Sequence, residues 1–324
     1  RSVAMRAMLA TMMMLIMTTA ALAGCAGSDI TQDDVDQARS EGLAEGIAQA
    51  TTVSTLDVIM ARDPPMMNCG VKSEQWGMGY LNTDSEYTGL DVEYCKAIAA
   101  AIGLNPATDI TYVYSSGSER FNLLRDSEID VLIRTTTWTT SRDADLDVDF
   151  GAINFYDGQG IMVNLDEFPN AESALDLDGA SICVAVGSTS AGNIADYFEE
   201  NGMDYTAVNS WNDGPDFANE QCDAVTGDMS SLVSMKWGME QDGSADFEMA
   251  IMPEIISKEP LASATRDYDS EWNEVVSWVW FGMVTAEELR TCVAAQPAPA
   301  DLRKKVLTPA KVAETLGRGG PSSH

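Results

Sequence analysis

The chain has 324 residues, long enough for two ordinary domains, and 45% of them are hydrophobic, as in folded globular proteins. The 51 acidic and 19 basic side chains give a net charge of −32, which disfavours nucleic acid and anionic lipid headgroups as partners. The single histidine, His324, is the last residue. It cannot serve a packed catalytic triad or a histidine-based zinc site there, so hydrolase chemistry is disfavoured.

Residues 1–24 have the features of a secretory signal peptide. Arg1 and Arg6 precede an apolar run over residues 8–21, which is shorter than the roughly 20 residues of a membrane-spanning helix. The run ends in LAGC at residues 22–25, which resembles a bacterial lipobox, in which the cysteine is acylated. We expect export, a lipid anchor on Cys25 and an acidic tether over residues 25–52. The alternative is an ordinary signal peptide with an incidental cysteine.

From about Leu56, segments typical of strands alternate with segments typical of helices. The first set has predicted strands at 68–71, 110–114 and 129–133 and predicted helices at 91–102 and 120–125. The second set has predicted strands at 181–186, 205–208 and 223–226 and a predicted helix at 193–201. Each order implies a parallel sheet with right-handed crossovers.

Two extended stretches, 154–164 and 252–265, join the two sets, and a predicted helix at 272–281 returns to the first set. We therefore expect an α/β protein with two lobes that have mainly parallel sheets and are joined by two extended hinge crossovers. The predicted lobe 1 is formed by residues 53–155 and 255–324, and the predicted lobe 2 by residues 156–254.

Export makes the five cysteines after the lipobox candidates for disulfide bonds. Cys69 ends a predicted strand and Cys95 lies in the helix that follows, while Cys183 and Cys222 each begin a strand-like run of the second set. We expect the bridges Cys69–Cys95 and Cys183–Cys222, with Cys292 free. A metal site is the alternative, but no C-x-x-C spacing supports it.

Ligands of open parallel sheets bind beyond the carboxyl ends of the strands, beside helix N-termini. Residues 134–142 (RTTTWTTSR) follow one such end, and the planar guanidinium of Arg142 suits a carboxylate. Residues 187–193 (GSTSAGN) place hydroxyls and backbone N–H groups at another helix start, although plain helix capping uses the same residue types. Asp228 follows a third strand and could meet an ammonium group. Together these groups fit a zwitterion.

Five segments resemble the general L-amino-acid-binding proteins of ATP-driven (ABC) transporters, which are periplasmic binding proteins of the polar amino acid group, family 3. They are CGV at 69–71, TGLDVEYC at 88–95, DVLIRTTTWTTSRD at 130–143, YDGQG at 156–160 and PEIISKEPL at 253–261. The resemblance covers about residues 56–289. It implies a type II periplasmic binding fold with two hinge crossings.

The resemblance also implies roles for individual residues. Thr135 and Thr137 would bind the ligand carboxylate beside Arg142, and Asp228 would take the ammonium. The second lobe's contacts would be Gly187, Ser188 and Thr189. Arg120 matches a position that contacts the ligand side chain, where an arginine favours Glu, Asp, Gln or Asn. Two departures are the small residues at 191–192 and a segment after residue 289 that is shorter than usual in the family.

We therefore expect an exported, lipid-anchored monomer that captures free amino acids by cleft closure and delivers them to an ABC transporter permease. It would work in the periplasm or on the outer face of the cytoplasmic membrane, without enzymatic activity, cofactor, metal or nucleic acid. One alternative is a sensory module for a membrane receptor. Another is a dehydratase-type enzyme, which would have to use Glu119 or Asp228 as its acid or base.

Overall fold

A computed structural model of the chain describes Gln37 and residues 53–294, with side chains up to residue 289. The predicted signal peptide, Cys25, the tether apart from Gln37, and residues 295–324 lie outside the described residues. The side chain of Cys292 also lies outside them. The compact unit that contains the helices and strands begins at Val53.

Twelve strands within residues 53–294 form one large and one small sheet. The strands are β1 Met67–Val71, β2 Glu74–Gln75, β3 Gly79–Leu81, β4 Tyr87–Thr88, β5 Ile110–Tyr114, β6 Val131–Leu132, β7 Val148–Asn164, β8 Ser181–Ala185, β9 Thr206–Ser210, β10 Ala224–Asp228, β11 Met249–Ile251 and β12 Ser257–Arg266. The large sheet has the order β5-β1-β6-β12-β7-β10-β8-β9, with β11 paired to β7, and β2-β3-β4 form the small sheet.

Helices follow most of the strands. They are α1 Thr55–Ala61, α2 Leu90–Ala101, α3 Arg120–Arg125, α4 Thr140–Asp145, α5 Ser190–Glu200, α6 Asp213–Ala218, α7 Met229–Asp242 and α8 Ser270–Ala294. Local sequence explains several helix ends: the side chains of Ser54 and Thr139 cap α1 and α4, and Gly243 ends α7 in the left-handed conformation. In the described part of the chain, none of the helices has the length and apolarity needed to cross a membrane.

The large sheet is parallel at both ends and antiparallel in the middle. At the first end β1 pairs in parallel with β5 and β6, and at the second end β8 pairs in parallel with β9 and β10. Between them β7 and β12 run antiparallel, from the pair Gln159↔Ser257 to the pair Val148↔Arg266. The two stretches predicted as extended crossovers are therefore long paired strands. They connect the two predicted sheets into a single mixed sheet.

Each end of the sheet has its own hydrophobic core. At the first end, α2 and α8 pack on the sheet, and two large buried side chains fix α8: the Tyr94 hydroxyl donates to the Val276 carbonyl at 2.8 Å and Trp272 Nε1 donates to the Asp130 carbonyl at 2.9 Å. At the second end, α5 packs on one face of the sheet through its buried residues Ile194 and Phe198. The helices α6 and α7 cover the other face.

Both predicted disulfides are present, and all four cysteines are buried. Cys69–Cys95 ties β1 to α2 with a Cα–Cα distance of 6.3 Å, and Cys183–Cys222 ties β8 to the segment before β10 with a distance of 5.6 Å. Both distances lie in the usual range for disulfides. Each bridge therefore closes a loop within one end of the large sheet.

The small sheet and the helix α7 were not predicted. The strands β2 and β4 have only two residues each, too few to produce a recognisable alternation. The sheet nevertheless has a tight junction with α2, because Gly89 has φ +116° and a Cβ there would lie 2.1 Å from the Met78 carbonyl oxygen. This junction needs glycine.

Candidate ligand-binding site

A cavity of about 820 Å³ lies at the carboxyl ends of the parallel strands. Its wall includes residues that follow, or end, a strand from either end of the sheet: Lys72 after β1, Ser116 after β5, Arg134 after β6, Val186 after β8, Trp211 after β9 and Asp228 at the end of β10. This is the position that the strand order predicts for a ligand.

The predicted site residues come together at this cavity. Those that line it are Arg120, Thr135, Thr137, Arg142, Ser188, Thr189 and Asp228. Gly187 is beside them and contacts two of the arginines through its carbonyl. Arg142 and Asp228, the two groups predicted for the ends of a zwitterion, thus share one cavity. Their roles as ligand contacts stay predictions.

Arg142 is buried, and its guanidinium joins the two sides of the cavity. Thr139 caps α4 and accepts from the Arg142 backbone N–H, which fixes the side chain in the first turn of the helix. Arg142 Nη1 donates to the Thr137 carbonyl at 2.8 Å and Nη2 donates to the Gly187 carbonyl at 3.3 Å. Arg120 Nη2 donates to the same Gly187 carbonyl at 3.2 Å. The expected contribution of Gly187 was a backbone N–H; in the structure its carbonyl makes the contacts.

Glu259 organises the threonines on both sides of the cavity, and sequence reasoning did not single it out. It is buried, and its Oε2 accepts from the Thr137 hydroxyl at 2.6 Å and from the Thr189 hydroxyl at 3.1 Å, while Asn193 Nδ2 donates to its Oε1 at 3.0 Å. Because a hydroxyl has one proton, these two threonines can only accept from a ligand while they are held this way. While it donates to Glu259, the Thr137 hydroxyl is positioned to accept an N–H, and the carboxylate-binding role of Thr137 stays a prediction.

Thr135 has the opposite arrangement. Its Oγ1 is buried without a hydrogen-bond partner, and its φ of +42° lies in the left-handed region, which is costly for a β-branched residue. Backbone strain of this kind concentrates at functional sites. The free hydroxyl and the strained backbone make Thr135 a candidate donor to a ligand carboxylate.

Asp228 is half-buried at the end of β10, directly before α7. Burial raises the pKa of its carboxyl to about 6; Lys72 and Arg134 act in the opposite direction, while Asp157 and Glu259 raise it further. The raised pKa means that the empty site destabilises the carboxylate. A ligand ammonium would relieve this cost.

An aromatic clasp, formed by Trp76, Tyr80 and Trp237, lies beside the cavity, whose wall includes Trp76 and Tyr80. Trp76 stacks on Tyr80 with a centroid distance of 3.6 Å and meets Trp237 of α7 edge to face at 4.8 Å. Next to it the Trp76 backbone N–H donates to Ser234 Oγ at 2.8 Å. These contacts hold the small sheet against α7. No sequence signal could find the contact with Trp237, because Trp237 is far from Trp76 and Tyr80 in the sequence.

Glu119, one of the two candidate acids for a dehydratase, is exposed and is not part of the cavity wall, whereas Asp228 is. Among the described residues, no group of three or more His, Cys, Asp or Glu side chains is arranged to hold a metal ion.

Comparison with known proteins agrees with the geometry. Residues 67–231 match the family of bacterial extracellular solute-binding proteins, family 3. The chain belongs to this family. The glutamate/glutamine/aspartate/asparagine-binding protein BztA of Rhodobacter capsulatus is 42% identical over 252 residues, which are 77% of this chain and 72% of that protein. The general L-amino acid-binding periplasmic protein AapJ of Rhizobium johnstonii is 39% identical over 76% of this chain and 70% of its own.

A solved structure has the same architecture. The structure of an ABC transporter periplasmic binding protein from Brucella ovis, with glutathione bound, has a TM-score of 0.68 and 40% identity, and the match covers 74% of this chain and 73% of that one. The mixed sheet with helices on both faces is therefore a type II periplasmic binding fold, as the resemblance implied.

Proposed function

We propose that this protein captures free L-amino acids outside the cytoplasm and delivers them to an ABC transporter permease. The observation that carries the proposal is one cavity with buried guanidinium groups and the carboxylate of Asp228 in its wall. A zwitterion needs both partners, because an isolated charge in a closed cleft is costly. The relatives named for amino-acid binding and periplasmic location support the same conclusion.

Capture would proceed by closure of two lobes, lobe 1 of residues 53–155 and 255–324 and lobe 2 of residues 156–254. The division is supported by the packing, since the buried residues of each hydrophobic cluster come from one of these ranges. Between the lobes lie the bonds from Arg120 and Arg142 to the Gly187 carbonyl. A ligand that touches both lobes shifts the population toward this closed form.

The ligand specificity is broad or directed to polar and acidic amino acids, with Arg120 as the predicted side-chain contact. Arg120 is 3% exposed, so it is not an ordinary surface arginine. A second candidate ligand is a small peptide with a free amino-acid head, such as glutathione. The cavity of about 820 Å³ favours it, as does the glutathione in the Brucella ovis relative.

A thermal-shift screen of the mature protein against the common amino acids and glutathione tests the proposal. A ligand at 100 times its Kd stabilises the folded state by about 2.7 kcal/mol, so bound ligands raise the Tm clearly. Arg142→Ala should abolish the shift, while the matched change of an exposed arginine, Arg125→Ala, should leave it unchanged. If every compound leaves the Tm of the wild type unchanged, or if Arg142→Ala binds like wild type, the proposal is wrong.

The anchor is a separate part of the proposal. We propose that Cys25 is acylated after removal of residues 1–24, which would hold a monomer on the periplasmic or outer face of the cytoplasmic membrane. Cys25→Ser should move the protein from the membrane fraction to the soluble fraction of an expressing bacterium. Continued retention in the membrane fraction would argue against lipidation.

A further inference from the structure

The guanidinium of Arg134 lacks a partner among the residues that the structure describes. Arg134 follows β6, lines the cavity and is 8% exposed. Its Nε is buried without a hydrogen-bond partner, and no hydrogen bond or ion pair joins its guanidinium to another described residue. By contrast, Arg62 donates to both carboxylate oxygens of Asp130, at 2.6 and 2.8 Å. A buried charge without a partner is costly, so an anion from outside the protein is the natural complement.

Three acids and one tyrosine influence the pKa of Arg134 electrostatically, but none of them forms a hydrogen bond or ion pair with its guanidinium. Glu74, Tyr114, Asp228 and Asp91 all favour its charged form, although burial outweighs them and lowers its pKa. Glu74 is exposed and accepts from the backbone N–H of the preceding serine at 2.9 Å. Asp91 Oδ1 accepts from Asn154 Nδ2 at 3.4 Å. Among the described residues neither acid bonds to Arg134, although Asp91 Oδ2 is itself buried without a hydrogen-bond partner.

The other two arginines of the cavity wall already donate hydrogen bonds to protein groups. Arg142 and Arg120 donate to backbone carbonyls, and both guanidinium groups lie over the ring of Phe121, at 5.5 and 4.9 Å from its centroid. If Arg142 and Asp228 hold the two ends of the amino-acid head, the carboxylate of the head is already paired. It is then not free to pair with the guanidinium of Arg134.

We propose that Arg134 forms a second anion subsite, which binds a carboxylate at the far end of the ligand. The inference rests on the proposed function and deepens it: the protein prefers amino acids with an ionised acidic side chain over their amides. A guanidinium presents a planar fork that donates to both oxygens of a carboxylate, whereas an amide offers it one oxygen and no negative charge. Neither the fold nor the amino-acid head would by itself separate glutamate from glutamine.

Isothermal titration calorimetry of the mature protein with glutamate and with glutamine tests the subsite. The wild type should bind glutamate at least about tenfold more tightly than glutamine. Arg134→Met keeps a long side chain without its charge and should weaken glutamate binding by about 10- to 100-fold, with glutamine changed less than about threefold. Arg134→Lys should recover part of the glutamate affinity. Arg125→Met, at an exposed position, should leave the affinity for both ligands unchanged.

Two results would overturn the subsite and leave the proposed function standing. One is a wild type that binds both ligands equally, and the other is an Arg134→Met variant that loses affinity for both to the same extent. Binding of neither ligand by the wild type would overturn the subsite, and only failure of the whole screen would also overturn the proposed function. If Arg134→Met does not fold by circular dichroism, the wild-type ratio and Arg134→Lys decide the question.

Discussion

Replacing Asp228 with asparagine should weaken amino-acid binding and, at the same time, stabilise the ligand-free protein. Burial raises the pKa of Asp228 from 3.8 to about 6. Because the folded pKa lies above the unfolded one, the cost of the ionised form is absent below about pH 4, grows as the pH rises and is complete above about pH 6. The difference of roughly two units corresponds to at most about 3 kcal/mol at pH 8, which the asparagine variant should recover in part.

The effect on binding has the opposite sign. Truncating one partner of a buried charge pair costs about 2–5 kcal/mol, so Asp228→Asn should raise the Kd by at least about 30-fold at pH 8. In the wild type, with a pKa of about 6 for free Asp228, the ionised fraction falls from about 99% at pH 8 to about 9% at pH 5. The Kd should therefore rise about tenfold between these two values.

Calorimetry at pH 8, 7, 6 and 5 and thermal denaturation without ligand measure both effects. Burial also raises the pKa of Asp91 to about 7, so some of the pH dependence could come from that carboxyl. The part that disappears in Asp228→Asn belongs to Asp228. Asp126→Asn, at an exposed position, is the matched control. An asparagine variant that binds as tightly as wild type, or that is less stable at pH 8, would refute the reasoning.

Three further predictions concern stability and closure. The disulfides close loops of 26 and 39 residues, so their reduction should lower the free energy of unfolding by about 3.5 and about 3.9 kcal/mol by the chain-entropy relation. An unchanged Tm in dithiothreitol would contradict this prediction. Trp237→Ala removes the edge-to-face contact with Trp76, which is worth about 0.5–1.5 kcal/mol. The ligand should therefore dissociate about 2- to 10-fold faster, as measured by stopped flow. An unaltered dissociation rate would mean that the clasp plays no part in closure. Gly89→Ala should destabilise the fold by at least about 1–3 kcal/mol in urea unfolding, because Gly89 has a φ of +116° and lies close to the Met78 carbonyl. Gly238→Ala should instead stabilise α7 by about 0.5–1 kcal/mol, because a Cβ at this position meets nothing within 4 Å.

Local patterns were enough to predict the two parallel ends of the sheet. The apolar runs at 110–114 and 181–186 became β5 and β8, nearly residue for residue, and the cysteines placed at a strand end and in the next helix did form a bridge. Polar residues that follow such strands must meet at one edge, so the shared cavity of Arg142 and Asp228 followed from strand order alone.

Features that depend on distant partners could not be predicted in the same way. The antiparallel pairing of β7 with β12 joins segments about 100 residues apart, and extended sequence alone does not specify a partner. The helix α7 mixes Met, Ser, Trp and Lys without a clear apolar face, so no period marks it. The direction of the Thr137 hydroxyl is set by Glu259, 122 residues away. Arg134 stands in the run predicted to lie beside the ligand, but the absence of a partner for its guanidinium among the described residues is visible only in three dimensions.

Buried charge would couple ligand binding to the proposed closure of the two lobes. Hydrogen bonds between protein groups across the cavity, such as those to the Gly187 carbonyl, involve no ligand atom, so they would favour closure equally for an empty and a filled site. What would differ between the two is the cost of the buried charges: Asp228 has a raised pKa, and the guanidinium of Arg134 has no partner among the described residues. Only a ligand with complementary charges removes these costs, and only in the closed form, where the groups are desolvated. A neutral amino acid relieves Asp228 alone, whereas an acidic one also relieves Arg134, so the more complete charge match should give the more stable closed state.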